Sequence, residues 1–141
     1  MEVKLNKATP EQLKTTPASM SGVVFGTQFS DHMFCMEWED GKGWHNAEIK
    51  PYGPLLMEPS AMVLHYAQMA FEGLKVYRTD SGENVLFRPR ENFKRMNRTA
   101  QRMCLPEIDV EEVLDALKQL LRLDSAWVPH ESGTTLYIRP T

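Results

Sequence analysis

The segment from Leu64 to Arg78, LHYAQMAFEGLKVYR, changes its periodicity part way along and restricts the possible fold more than any other stretch. Its first half has the spacing of an amphipathic helix, whereas LKVYR alternates as a strand does. Phe71-Glu72-Gly73 separates the two halves, and we expect Gly73 to supply the backbone freedom for a sharp exit from the helix. A chain that interleaves helix and strand in this way predicts a mixed fold.

Other stretches predict antiparallel strand pairs. FSDHMFCMEWEDGKGW is rich in β-prone residues up to the turn-forming cluster at 40–43, which predicts a hairpin. LKVYR and VLFR, separated by the loop TDSGEN, predict a second hairpin. The two prolines of AEIKPYGPLLM indicate that any strand there is short or lies at a sheet edge. A β-branched run, Thr134 to Ile138, predicts a last strand.

Two main helices are expected to pack on these strands. Pro89 opens the first, and Asp109 opens the second with capping-box spacing to Glu112. Ser60 is a plausible N-cap for the helical half of the opening segment. The apolar face of the first main helix comprises Phe93, Met96, Ala100 and Met103, and that of the second comprises Val113, Leu114, Leu117, Leu120 and Leu121. The fold class predicted is α+β, with antiparallel strand pairs packed with helices at 89–103 and 109–127.

Composition bounds the organisation of the chain. With 141 residues and 42% hydrophobic residues, one ordinary core is expected. Residues 1–21 are polar and read as a flexible lead-in, which leaves 22–141 as the domain. The strand-forming run stops close to Thr141, so we expect a fragment. Cys35 and Cys104 have no metal-like or redox spacing, and no run of about 18 apolar residues occurs, which is typical of a reduced cytoplasmic protein.

Most chemistries find no support in the residue pattern. The histidines share no ligand-like spacing with one another or with the cysteines, so no metal site is predicted. No nucleophile elbow, glycine-rich phosphate loop or Walker-type lysine is present. A net charge of −3 argues against a nucleic-acid-binding module, whose affinity would fall steeply with added salt.

Arginines and aromatic residues remain as candidates. The basic segment 88–102 either binds a phosphate or is a solvated helix face. Arg95 lies beside Phe93 and Met96, on the side of the helix expected to be buried, and should have an anionic partner. Tyr137 and Arg139 lie on one face of the last strand, where they bind a carboxylate or form a strand-end salt bridge. Three further aromatic residues fill the core or line a pocket: Phe25, Tyr66 and Phe71.

Four segments, in order and at their observed spacings, resemble one known family. They are FGTQFSDHM (25–33), LHYAQMAFEGLKVYR (64–78), LFRPRENFKRM (86–96) and LYIRPT (136–141). The chain resembles the small N-terminal domain of the branched-chain amino-acid aminotransferases of fold type IV. That resemblance implies a homodimeric enzyme that uses pyridoxal 5′-phosphate to move the amino group of leucine, isoleucine or valine to 2-oxoglutarate.

The resemblance also implies roles for individual residues. Arg95 falls on the family arginine that binds the cofactor phosphate. Phe25, Tyr66, Phe71 and Tyr137 fall on residues that line the substrate side-chain pocket, with Tyr66 reaching the site of the neighbouring subunit. Arg139 falls on the arginine that recognises the carboxylate of the acidic co-substrate.

The family's Schiff-base lysine belongs to a C-terminal domain that the sequence does not contain, so no catalytic residue is assigned and the segment alone is expected to be inactive. Lys75, in FEGLK, is not that lysine; as a water-exposed strand residue it is a poor nucleophile, and we give it a structural role. Related enzymes of the D-amino-acid aminotransferase or aminodeoxychorismate lyase type are alternatives. A non-enzymatic dimerisation module is another, and it would gain support if the pocket residues were fully buried within one chain.

Overall fold

The protein is described here by a computed structural model that covers residues 1–141. Two three-stranded sheets and three α-helices form an α+β fold, which confirms the fold class predicted from the sequence. No helix in it combines the length and the apolar character needed to cross a membrane. The elements in chain order are β1 Lys4–Leu5, β2 His32–Glu39, β3 Gly43–Pro51, α1 Met62–Tyr66, β4 Leu74–Arg78, β5 Asn84–Leu86, α2 Pro89–Met103, α3 Val110–Leu123, a 3-10 turn Ser125–Trp127 and β6 Leu136–Ile138.

The first sheet is built on the predicted hairpin of β2 and β3, which pair antiparallel around the turn at 40–43. Gly41 and Gly43 have φ of 78° and 76°, a left-handed conformation that glycine adopts without strain. The expectation of a short or edge strand before Tyr52 was wrong: β3 is nine residues long and lies between β1 and β2. Pro51 is the last residue of β3, so its missing N–H interrupts no bond in the middle of the ladder.

The second sheet has the order β5-β4-β6, and both pairings are antiparallel. The β4–β5 pair is the second predicted hairpin. The last strand is shorter than predicted and begins at Leu136. Because β4 is central, the strand that leaves the 71–73 break is held on both sides, by β5 and by the C-terminal β6.

The two main helices begin where the sequence predicts. Pro89 opens α2, and the carboxylate of Asp109 caps α3 by accepting from the N–H groups of Glu111 and Glu112 at 3.0 and 2.9 Å. Glu112 contacts the N-terminal amine of Met1. Regular α-helix in α3 ends at Leu123, and a 3-10 turn continues to Trp127.

The core lies between the second sheet and these helices. Its buried members are Leu74, Val76, Phe93, Ile108, Val113, Leu114, Leu117, Leu121 and Val128. The predicted apolar stripes therefore face the core, although Met96, Met103 and Leu120 are only half-buried. Each fully buried side chain of this size stabilises the fold by about 1.5–3 kcal/mol.

The helix predicted over the first half of the opening segment is short. Helix α1 covers Met62–Tyr66, Ala61 and not Ser60 is its N-cap, and no side chain caps it. Ala67 ends it with a φ of 50°, and none of its residues is buried. A helix without a packed face gains little from burial, and so it does not extend towards Phe71.

The lead-in at 1–21 contacts the domain at several points. Lys4 and Leu5 pair parallel with β3. Ala8 N–H donates to His32 Nε2 at 2.9 Å, and Lys14 N–H donates to Asp31 Oδ1 at 2.8 Å. These bonds join the lead-in to β3 and to the start of β2.

Candidate functional site

Tyr137 in β6 and Arg139 just after it point to the same side, as their spacing predicts, and both contact aromatic rings. Phe25 meets the Tyr137 ring edge-on, with centroids 5.2 Å apart and planes at 79°. The Arg139 guanidinium lies 4.7 Å from the Phe71 ring centroid and 5.1 Å from that of Tyr137. Cation–π attraction holds the guanidinium over the rings.

The Arg139 guanidinium contacts these two rings and makes no hydrogen bond or ion pair with any group of the chain. The strand-end salt bridge, the other interpretation of this residue, is therefore not formed. A guanidinium carries five N–H donors and a permanent charge, which match a carboxylate in a two-point contact. The cluster Phe25, Phe71, Tyr137 and Arg139, which we call the aromatic cluster, is thus an apolar wall with a free cation at its edge.

The aromatic cluster is open to solvent. Phe25 is 74% exposed and Phe71 is 59% exposed, whereas Tyr137 is half-buried. The pocket residues are therefore not buried within one chain, and the structure gives no support to the purely structural alternative. An exposed ring cluster of this kind is typical of a binding surface.

Tyr66 lies apart from the aromatic cluster. It is the last residue of α1, it is 76% exposed, and its nearest ring partner is His65, at a centroid distance of 6.5 Å. The structure does not bring Tyr66 into ring contact with Phe71. Helix α1 ends at Tyr66, so Tyr66 and Phe71 do not project from one continuous helix.

Arg95 has an anionic partner, as predicted, but within the chain that partner is the Glu72 carboxylate, whereas the resemblance implied the cofactor phosphate. Arg95 Nε and Nη2 donate to Glu72 Oε2 and Oε1 at 2.7 and 2.6 Å. The expected burial of Arg95 was wrong, because its side chain is 58% exposed while that of Glu72 is 6% exposed. The aliphatic stem leaves α2 beside the core, and the charged end reaches water.

The electrostatics of this pair follow from the two hydrogen bonds. Hydrogen bonding from Arg95 holds the pKa of Glu72 below its ordinary value; burial opposes the shift, and the Gly73 N–H supports it. The hydrogen bond and the charge of Glu72 raise the pKa of Arg95. Both groups are therefore ionised at neutral pH.

Four of the predicted site residues, Phe71, Arg95, Tyr137 and Arg139, lie at or contact the break at 71–73. Phe71 contacts Arg139, Glu72 binds Arg95, and Gly73 lies beneath the hydroxyl of Tyr137. The expected role of Gly73 in backbone freedom was wrong, since it is not among the residues with positive φ. A Cβ atom at Gly73 would overlap the Tyr137 hydroxyl and lie 2.9 Å from Cζ.

Arg95 also lines a shallow cavity of about 240 Å³ at the start of α2. Its lining residues are Phe87, Arg88, Glu91, Asn92 and Arg95. No atom of the chain accepts a hydrogen bond from Arg95 Nη1. Two arginines line this depression, one of them with a free guanidinium edge, and their N–H donors fit the chemistry of a phosphate.

Glu72 is the site residue that sequence reasoning missed. Its position between Phe71 and Gly73 marks the break, but nothing in its local pattern indicates that its carboxylate binds an arginine 23 residues further along. Lys75 is exposed on β4 and lines a separate polar cavity of about 550 Å³ with Arg78 and His130.

Comparison with known proteins identifies several similar sequences of one kind. None of the protein-family models compared with the chain matches it. The chain is 54% identical, over 90% of its length, to branched-chain-amino-acid transaminase 1 of Bacillus subtilis. It is 48% identical over 96% of its length to the cytosolic branched-chain-amino-acid aminotransferase of Saccharomyces cerevisiae, and 44% identical over 99% to that of Caenorhabditis elegans. The chain spans 35%, 36% and 34% of these relatives, about a third of each.

Proposed function

Since the chain belongs by sequence to the branched-chain-amino-acid aminotransferases, we propose that it is the N-terminal third of a pyridoxal-phosphate-dependent enzyme of this kind. The reaction is transfer of the amino group of leucine, isoleucine or valine to 2-oxoglutarate. When bound, the cofactor carries the amino group from the first substrate to the second. Residues 22–141 are the small domain, the enzyme is a cytoplasmic homodimer, and residues 1–21 are a lead-in.

The observation that carries the proposal is the unpaired Arg139 guanidinium over two aromatic rings. One pocket must accept a branched aliphatic side chain in one half-reaction and a carboxylate-bearing one in the other. The rings of Phe25, Phe71 and Tyr137 supply apolar contact for the first. Arg139, at the edge of these rings, has free N–H groups for the second.

Arg95 is assigned to the cofactor phosphate. Its free Nη1 edge and the neighbouring Arg88 are the donors that support this role. Tyr66 is assigned to the pocket of the neighbouring subunit, because it is 76% exposed and its ring contacts no ring of the aromatic cluster. Phe25, Phe71 and Tyr137 also exclude water from the side chain that they contact.

The test uses the full-length protein that carries this segment. We expect it to bind pyridoxal phosphate and to form glutamate from leucine and 2-oxoglutarate. Arg95→Ala should weaken cofactor retention, measured as cofactor lost on gel filtration. A full-length protein that transaminates D-alanine and not leucine would contradict the proposal and favour the D-amino-acid class.

The segment 1–141 by itself should have no transaminase activity, because the lysine that bonds to the cofactor is not among its residues. The measurement is treatment with pyridoxal phosphate and borohydride, followed by mass spectrometry of peptides. A stoichiometric adduct at a single lysine, such as Lys75, would contradict this assignment.

A further inference from the structure

Glu72 fixes the plane of the Arg95 guanidinium. Its carboxylate accepts from two different nitrogens of Arg95, at 2.7 and 2.6 Å. A guanidinium bound at two points to a carboxylate has a defined plane, whereas an exposed arginine with no partner samples many rotamers. The pair therefore orients a side chain whose charged end is otherwise in water.

The carboxylate is itself held by the backbone. Gly73 N–H donates to Glu72 Oε1 at 2.7 Å, and Glu72 N–H donates to Pro140 O at 3.0 Å. Asn92 Nδ2, one turn before Arg95 on α2, donates to Gly73 O at 3.1 Å. Glu72 is thus fixed relative to α2, which carries Arg95, and relative to the end of β6.

The pairing leaves one side of Arg95 free. A guanidinium has five N–H groups, and Glu72 takes one on Nε and one on Nη2. Both N–H groups of Nη1 and the second of Nη2 remain for a ligand. Resting on the proposed function, we propose that Glu72 is a positioning residue, which directs these free N–H groups of Arg95 towards the phosphate of the cofactor.

The two possible roles of Glu72, positioning Arg95 and balancing its charge, predict opposite changes in the affinity for phosphate when the carboxylate is removed. If Glu72 only cancelled the charge of Arg95, Glu72→Gln would leave a net positive charge and strengthen phosphate binding. If Glu72 positions Arg95, the same substitution weakens phosphate binding. The amide of glutamine keeps one acceptor and places an N–H₂ group against the N–H groups of Arg95, so the two-point contact is lost.

The experiment measures dissociation constants for the apo form of the full-length protein, by tryptophan fluorescence. Pyridoxal 5′-phosphate and pyridoxal, which lacks the phosphate, are titrated in parallel. The ratio of the dissociation constant for pyridoxal to that for pyridoxal 5′-phosphate, which we call the discrimination, isolates the contribution of the phosphate from that of the ring. We expect Glu72→Gln to lower this discrimination about ten-fold, Glu72→Asp to lower it less, and Arg95→Ala to lower it most.

The matched control is Glu111→Gln. Glu111 makes the same type of two-point pair with Arg90 on the same helix, at 2.6 and 2.8 Å, but at an exposed position away from the cavity. The Glu111→Gln substitution removes one carboxylate charge and leaves the contacts of Arg95 unchanged. The Glu111→Gln variant should discriminate between the two ligands as well as the wild type does.

Three outcomes overturn the inference, and they are distinguishable. Unchanged or higher discrimination in Glu72→Gln, with lower discrimination in Arg95→Ala, refutes positioning and leaves the proposed function intact. Equal losses for both ligands show that Glu72 only maintains the fold. Unchanged discrimination in Arg95→Ala removes Arg95 from the phosphate site, and the role of Glu72 with it. If Glu72→Gln does not fold, Glu72→Asp decides by the same ratio.

Discussion

The hydroxyl of Tyr137 lies where a side chain at Gly73 would begin, and Tyr137 Cζ is 2.9 Å from the Cβ position of that residue. Gly73 lies immediately before β4, and Tyr137 lies in the neighbouring strand β6, where it pairs with Lys75 of β4. Only the absence of a side chain at Gly73 allows this ring to pack down on the backbone. The position of the ring in the aromatic cluster therefore depends on a glycine.

Gly73→Ala should displace Tyr137 and lower stability by about 1–3 kcal/mol, because the added methyl group has no room. Chemical denaturation of the full-length protein measures the change. Gly53→Ala is the control, since nothing lies within 4 Å of its Cβ position. Truncating the ring as well, in Gly73→Ala with Tyr137→Ala, should give a loss smaller than the sum of the single losses. Strict additivity would show that the two residues do not interact.

The Glu72–Arg95 pair should make stability depend on pH on the acid side. The pKa of Glu72 is lowered in the folded state, first by its hydrogen bonds from Arg95, so folding favours the ionised form. This contribution is present above the unfolded-state pKa, about 4.3, and is lost as the pH falls through the lower folded-state value. The stability difference between wild type and Glu72→Gln should therefore shrink below about pH 4. A constant difference from pH 7 to pH 3 would contradict this.

Arg139→Leu should reduce kcat/KM for 2-oxoglutarate about ten- to a hundred-fold and affect a branched-chain 2-oxo acid much less. The physical reason is the loss of a cation that no group of the chain neutralises, while the apolar rings beside it remain. Steady-state kinetics of the full-length protein with each acceptor give the ratio. Arg98→Leu, an exposed substitution on α2, serves as the control. Equal losses for both acceptors would show that Arg139 does not discriminate between them.

The buried pair of His32 and Asp124 should matter for stability. Asp124 Oδ2 accepts from His32 N–H at 2.9 Å and Oδ1 binds Nδ1 at 2.6 Å, while Ala8 N–H donates to Nε2. Asp124→Ala leaves two buried donors without acceptors and should cost about 3 kcal/mol. Asp124→Asn keeps one acceptor oxygen and should cost less. The free energy of unfolding measures both, and similar losses in the two variants would refute the hydrogen-bond explanation.

Local patterns determined much of the fold. The two hairpins, the starts of α2 and α3 and the apolar stripes were predicted because strand alternation, helix spacing, turn glycines and N-caps act within a few residues. The same-face placement of Tyr137 and Arg139 followed from the two-residue period of a strand. An anionic partner for Arg95 was also predicted, although the reason given, burial of the cation, was wrong because the side chain is 58% exposed.

The tertiary structure decided what those patterns could not reach. Whether β3 lies at an edge or at the centre depends on the distant β1 that pairs with it. The anion beside Arg95 is Glu72, which lies in a distant segment of the sequence. Likewise, the ring of Tyr137, also distant in sequence, occupies the space that a side chain at Gly73 would need. Helix α1 is short because no surface of the chain covers it. Periodicity records which face of an element is apolar, whereas packing between distant segments decides what each face meets.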